Sequence, residues 1–177
     1  DLLQKRLDII PVENGIDYRA QFLQSEGSYF VPLGEVTDHK ADEIFAQLTD
    51  HEESSENQLT VKGRIIPVYK TAKGVARFTF SQLCEQPHGA EDYLAIAQTY
   101  HTVFIEHVPK MAYDRRNEAK RFMTLIDVLY EKKARVIITA AAAPDRLYYG
   151  DDHAFEFQRT VSRLLEMQSE TYLQNTA

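Results

Sequence analysis

The sequence predicts a mixed α/β fold: a parallel strand–helix–strand unit with an antiparallel β-rich subdomain inserted before it. Three observations predict it. Thr102 to Val108 and Arg135 to Ala141 are short, nearly continuous apolar runs, as in strands covered on both faces. Between them, residues 117–131 place Ala119, Phe122, Met123, Ile126, Leu129 and Tyr130 at helical spacing, widened by Leu125 and Val128. A strand, a long helix and a strand in that order cross over to parallel pairing. Upstream, residues 18–22 and 75–80 alternate with a period of two, and turn signals set off further short strands between them, which marks a mostly antiparallel β subdomain carrying one helix.

Taken in order, Leu2, Leu3, Arg6 and Leu7 suggest the last turn of a helix leading into a strand over Leu7 to Val12, ended or pushed to an edge by Pro11. Asn14-Gly15 is a turn signal. Tyr18, Ala20 and Phe22 alternate with Arg19 and Gln21, and Glu26-Gly27 turns the chain into Ser28 to Leu33, so the pair predicts a hairpin. Thr37 is an expected N-cap for a helix carrying Ala41, Ile44, Phe45 and Leu48 on one face. Asp50 to Gln58 is acidic and predicts an exposed, insertion-tolerant loop. Leu59 to Val61 and Ile65 to Tyr69 flank Lys62-Gly63 as a second hairpin, and Val75 to Phe80 alternates as a further strand.

Gly89 precedes a helix over Ala90 to Tyr100 that presents Tyr93, Leu94, Ala97 and Tyr100. The crossover helix is expected to be capped by Asp114 or Asn117, with Lys132, Lys133 and Arg135 complementing its negative end. A last helix spans about Ala154 to Leu173. The expected organisation is 1–17 as a last strand of an upstream core, 18–82 as the β-rich subdomain with one helix, and 83–177 as the α/β unit.

Composition narrows the function. At 177 residues with 44% hydrophobic and 27% charged content, the chain can bury a sizeable core. A net charge of -7 argues against wholesale nucleic-acid binding. A single cysteine, Cys84, excludes an internal disulfide framework and suits a reducing cytosol. No apolar run approaches the ~20 residues that span a bilayer, and no signal peptide is visible. The opening at Asp1, without an initiator Met, predicts a piece cut from something longer.

In nucleotide-binding α/β proteins, chemistry sits at the carboxyl ends of parallel strands. Those ends are Glu106-His107-Val108-Pro109 and Thr139 through Pro144. A hydrophobic strand ending in two acids is the shape of a Walker B element, which handles Mg²⁺ and the attacking water. Here only Glu106 is acidic, and a Glu at a strand end also serves as a loop anchor. The second strand ends in Thr139 and four alanines, and alanines cannot hydrogen-bond a γ-phosphate. They can let the last helix pack closely. That helix carries Arg159 and Arg163 at i, i+4, opposite the stripe Phe157, Val161 and Leu165. Like charges at that spacing repel unless something anionic sits between them. Glu156 and Glu166 can each pair with one arginine; alternatively, the planar forks suit a nucleotide phosphate, in the same subunit or a neighbour's. Cys84 has no adjacent metal-spaced partner beyond His88. No GxxxxGK[ST], GxSxG, HExxH or CxxC occurs, so tight ATP binding by this chain is not expected.

Three long segments, HTVFIEHVP, EAKRFMTLIDVLYEKKARVIITAAAAPDRLY and FEFQRTVSRLLEMQSETYL, resemble the carboxyl-terminal part of the AFG-one-like family of AAA+ ATPases. The resemblance continues through GVARFTFSQLCEQPHGAEDYLAIAQTYH and the opening LLQKRLDIIPVENGIDYR, so it covers nearly the whole chain. It implies an AAA+/P-loop-type fold whose P-loop, Walker B acid pair, sensor strand and arginine-rich segment precede this chain. The family usually shows two acids before Val-Pro where Glu106-His107 stands, and often an acid near Ala141. These departures suit a degenerate structural copy of the Walker-B/sensor half, with Glu106 a weak Walker-B-like acid. Arg159 and Arg163 match the family's FxRxxSRLxEMQS segment as candidate phosphate-sensing arginines.

The implied function is ATP hydrolysis, with ATP and Mg bound upstream and none on this fragment, coupled to remodelling a protein partner. The expected partners are division-machinery components; the expected state is a homo-oligomer in the cytoplasm, with a peripheral place at the division site as an option. The alternative is a nucleotide-independent binding module that docks a partner through the β subdomain and the helix face around Tyr93 and Tyr100.

Overall fold

A computed structural model describes the backbone of residues 11–176 and the side chains of residues 18–176. The elements run α1 (Pro11–Glu26), β1 (Tyr29–Phe30), α2 (Glu35–Leu48), β2 (Ser55–Val61), β3 (Arg64–Ala72), β4 (Val75–Thr79), α3 (Phe80–Cys84), α4 (Ala90–Thr99), β5 (Thr102–Val108), α5 (Arg116–Glu131), β6 (Arg135–Ala140), α6 (Ala154–Glu166) and α7 (Glu170–Gln174). All six strands belong to one sheet, in the order β1-β6-β5-β4-β3-β2. β5 and β6 pair in parallel around α5, as the apolar runs require. β4 also pairs in parallel with β5, while β3 joins β4 and β2 antiparallel, so the hairpin strands extend the parallel sheet without a break.

Strand alternation assigns two cores. Ala76, Phe78, Val103, Ile105, Val136 and Ile138 face α3 to α6, where Phe80, Tyr93, Phe122 and Phe157 complete the packing. Val75, Phe104 and Ile137 face the other way, against Leu23 of α1, Ile44 and Phe45 of α2, and Leu173 of α7. Fully burying a Leu, Ile or Phe stabilises by about 1.5–3 kcal/mol. α5 buries Ala119, Phe122, Met123, Leu125, Ile126 and Leu129, which makes it a principal support of the sheet.

Several local expectations are corrected. Residues 18–22 are helical: Ala20 and Leu23 are buried three apart, while Tyr18 is exposed and stacks on Phe22 one turn later, ring centroids 6.5 Å apart. A run of five residues fits either period, and here packing of a helix against the sheet decides it. Asn14-Gly15 therefore lies inside α1, as do Pro11 and Val12; the rest of the expected Leu7 to Val12 strand and the helical turn before it lie outside the described residues. Ser28 to Leu33 contributes only β1, paired in parallel with β6 through Tyr29–Ile138 and Phe30–Thr139. Thr37 is not a cap; α2 starts after Gly34, and the Thr37 hydroxyl donates to the Pro32 carbonyl at 2.8 Å. Asp50 to Gln58 is not all loop, since β2 begins at Ser55.

Neither Asp114 nor Asn117 caps α5, whose first turn is preceded by a 3₁₀ turn over Tyr113–Arg115. Arg135 does not complement a helix end but is a buried strand residue. The last helix breaks after Glu166, and α7 restarts where the Ser169 hydroxyl accepts from the Tyr172 amide at 3.2 Å. The buried face of α6 is Phe157, Thr160 and Leu164, while Leu165 is exposed. Tyr93 and Tyr100 are core residues, the former donating to the Leu83 carbonyl at 2.7 Å, so that helix face cannot dock a partner.

Candidate functional site

Glu106 stands two residues before the end of β5 on the face turned toward α2, and Arg77 of neighbouring β4 stands on the same face by strand parity. Arg77 holds it with a two-pronged contact: Nε donates to one carboxylate oxygen and Nη2 to the other, each at 2.7 Å. The third prong, Nη1, donates to Asp42 of α2 at 2.7 Å. Both partners are 4% exposed at the side chain. The guanidinium lies 5.4 Å from the ring centroids of Phe45 and Phe104, which shield the pair from water. Burial opposes the Arg77 charge, but hydrogen bonds and charge from Glu106, then Asp42, outweigh it and raise the pKa. The Tyr69 hydroxyl reaches Glu106 at 3.4 Å; burial, then the Glu106 charge, pushes its pKa up.

The next residue bends the strand. His107 has φ 64, and the register with β6 slips between Ile105 and Val108, so Glu106 and His107 together oppose Thr139. This is a β-bulge, rare in a parallel pair and a device for re-aiming a side chain. The His107 amide donates to the Thr139 hydroxyl at 2.9 Å, and the exposed ring meets Asp38 of α2 at 2.9 Å. Glu106, His107 and Thr139 are thus brought together at one strand end, with every carboxylate oxygen of Glu106 in use.

Arg159 and Arg163 lie elsewhere. α6 covers the sheet face opposite Glu106, and both arginines turn to Asp127 of α5. Arg163 bonds one carboxylate oxygen and Arg159 the other, at 3.1 Å. The expected pairing with Glu156 and Glu166 is not what satisfies them: Glu166 accepts from the Tyr130 hydroxyl at 2.8 Å, and the Tyr130 ring lies 4.8 Å from the Arg163 guanidinium. Arg159 is 64% exposed at the side chain, Asp127 29% and Arg163 22%. The Glu106 cluster and the arginine pair therefore form two separate charged sites across the sheet.

The residues that complete these sites were not singled out in the sequence. Arg77 sat legibly on an alternating strand, but nothing local tied it to Glu106, 29 positions later. Tyr130 belongs to the expected apolar face of α5, and Asp127 has no sequence feature that sets it apart from the polar residues of that helix. Neither site is a metal site by its donors: Glu106 is neutralised by Arg77, Asp127 by two arginines, and among the described residues no three His, Cys, Asp or Glu side chains converge.

A helix-covered, largely parallel sheet with a strand–helix–strand crossover and charged strand ends defines an α/β protein of the P-loop type. The chain belongs to the AFG1-like ATPase family, whose model matches residues 1–176. It is similar to the cell division protein ZapE of Escherichia coli K12, 31% identical over 173 residues that cover 98% of this chain and 46% of that protein. It is also similar to lactation elevated protein 1 homolog B of Danio rerio, 32% identical over 206 residues, covering 97% of this chain and 41% of that protein. A Schizosaccharomyces pombe protein of uncharacterized function is 28% identical over 202 residues, covering 97% of this chain and 44% of its own length. The chain spans about half the length of the curated relatives it matches. No solved structure matches significantly.

Proposed function

We propose that this chain is the phosphate-sensing and partner-coupling portion of an AAA+-type ATPase that remodels a protein partner. ATP and Mg²⁺ would be gripped by a P-loop and catalytic acids in a part of the family protein beyond this chain. Arg159 and Arg163 would answer to the phosphate, in their own subunit or across the contact of a homo-oligomer. The printed name of the bacterial relative suggests division-machinery components as partners, with the protein acting in the cytoplasm at the division site. Glu106 serves this assembly as a fixed anchor of the strand end; its place in a degenerate Walker B position is secondary.

The observation that carries this function is the convergence of two guanidiniums on one surface carboxylate, with Arg159 64% exposed. Two forks already aimed at an anion are what bidentate phosphate recognition needs. The competing function, a nucleotide-independent binding module, is favoured by β2, which forms the open edge of the sheet with mostly exposed side chains. Unpaired edge strands accept an added strand from a partner.

ATP turnover by the full-length protein separates the two. Arg163→Ala, or Arg159→Ala, is expected to lower kcat by about tenfold or more, as loss of a transition-state charge contact does. Unchanged turnover in both variants rejects phosphate sensing and leaves the binding module. Mixing Arg163→Ala subunits with subunits that have lost the P-loop lysine locates the phosphate. Recovered turnover places it in the neighbour; continued silence places it in the same subunit.

A further inference from the structure

We propose that Asp127 is an internal competitor for the anion that Arg159 and Arg163 recognise, holding the arginines closed until a phosphate displaces it. The inference rests on the phosphate-sensing function above and names the residue that regulates it. Asp127 offers one carboxylate, one oxygen to each guanidinium, so neither planar fork is engaged by both of its prongs. Glu166, three residues after Arg163, accepts from the Tyr130 hydroxyl and bonds neither arginine. A phosphate brings more negative charge and three oxygens, which suits a pair of planar forks better than a carboxylate does.

The contact is poorly explained as a structural clamp. α5 and α6 are already joined by Phe122 and Phe157, whose rings stack with centroids 6.4 Å apart, and by buried Leu129 and Leu164 in the same core. The Arg159 arm of the contact, 64% exposed, adds little to such a seam. Asp127 instead sits where an exchangeable ligand would: partly exposed, at the outer edge of the seam, with one arginine open to solvent. The Tyr130 ring keeps the Arg163 guanidinium in place when its carboxylate leaves. The exchange is electrostatic, with the phosphate oxygens taking over N–H groups that Asp127 releases.

The test is steady-state ATP hydrolysis by the full-length protein carrying Asp127→Asn, with a thermal melt of each variant. Loss of the competing charge is expected to lower KM for ATP by about two- to fivefold, the range of a partly screened ion pair. That effect is expected to vanish when Asp127→Asn is combined with Arg159→Ala and Arg163→Ala. If the amide variant fails to fold, Asp127→Ala in the same background series gives the same comparison. A lowered melting temperature with KM unchanged, or a KM shift that persists without the arginines, overturns the inference while the arginine single variants still report on phosphate sensing. Arginine variants with unchanged turnover overturn both.

Discussion

Arg77 and Glu106 show what a single strand position can decide. Each would be a costly charge in a dry layer; together, with Asp42 and two aromatic rings, they are satisfied. Breaking a buried pair by removing one partner leaves the other uncompensated and costs about 3–5 kcal/mol. Glu106→Ala is therefore expected to destabilise the fold by about that amount, read as a lower urea midpoint, whereas replacing both by apolar residues of similar volume, as in Arg77→Met with Glu106→Leu, is expected to recover most of it. A Glu106→Ala variant with native stability and lost turnover would return Glu106 to catalysis. In the sequence, Glu106 was legible as a strand-end acid, but its partner was not, because a cross-strand pair depends on sheet order. The same holds for Asp127, which only the packing of α5 on α6 brings to Arg159 and Arg163.

At the scale of elements, legibility followed the length and purity of the hydrophobic period. β5, α5 and β6 were readable because their apolar positions recur over long runs with no competing period. α1 was misread because Tyr18, Ala20 and Phe22 mimic a strand, and the burial that selects the helix comes from the sheet beneath it. The two hairpin turns were set by glycine. Lys62-Gly63 and Lys73-Gly74 each join antiparallel strands with both residues at positive φ, which matches the twist of the strands. They differ in their surroundings. A Cβ on Gly63 would meet nothing within 4 Å, but one on Gly74 would lie 2.7 Å from the ring of His101, which precedes β5 and meets the Lys73 carbonyl at 3.0 Å. Both alanine substitutions carry the left-handed backbone cost of about 1–2 kcal/mol; Gly74→Ala is expected to exceed Gly63→Ala because His101 must also move. Equal urea midpoints for the two variants would show that His101 yields freely.

Across the whole molecule, the sheet separates the two charged sites. Glu106 and Thr139 lie at strand ends on the α2 side, where Arg77 consumes the carboxylate; the arginines open on the opposite helical layer. The fold type was legible because crossover connections and strand patterning constrain it, whereas the division of labour was not, since it depends on which face each charge takes. A chain that offers one exposed and one partly buried arginine, no phosphate-cradling glycine loop in its sequence and a net charge of -7 has little with which to hold a triphosphate. Isothermal titration of ATP and Mg²⁺ into the 177-residue chain is accordingly expected to give negligible heat. Supplying the rest of the family protein is expected to restore binding, with affinity then sensitive to Asp127. Micromolar binding by the chain alone would show that this chain carries a phosphate site of its own and overturn the expectation that the grip lies elsewhere in the family protein.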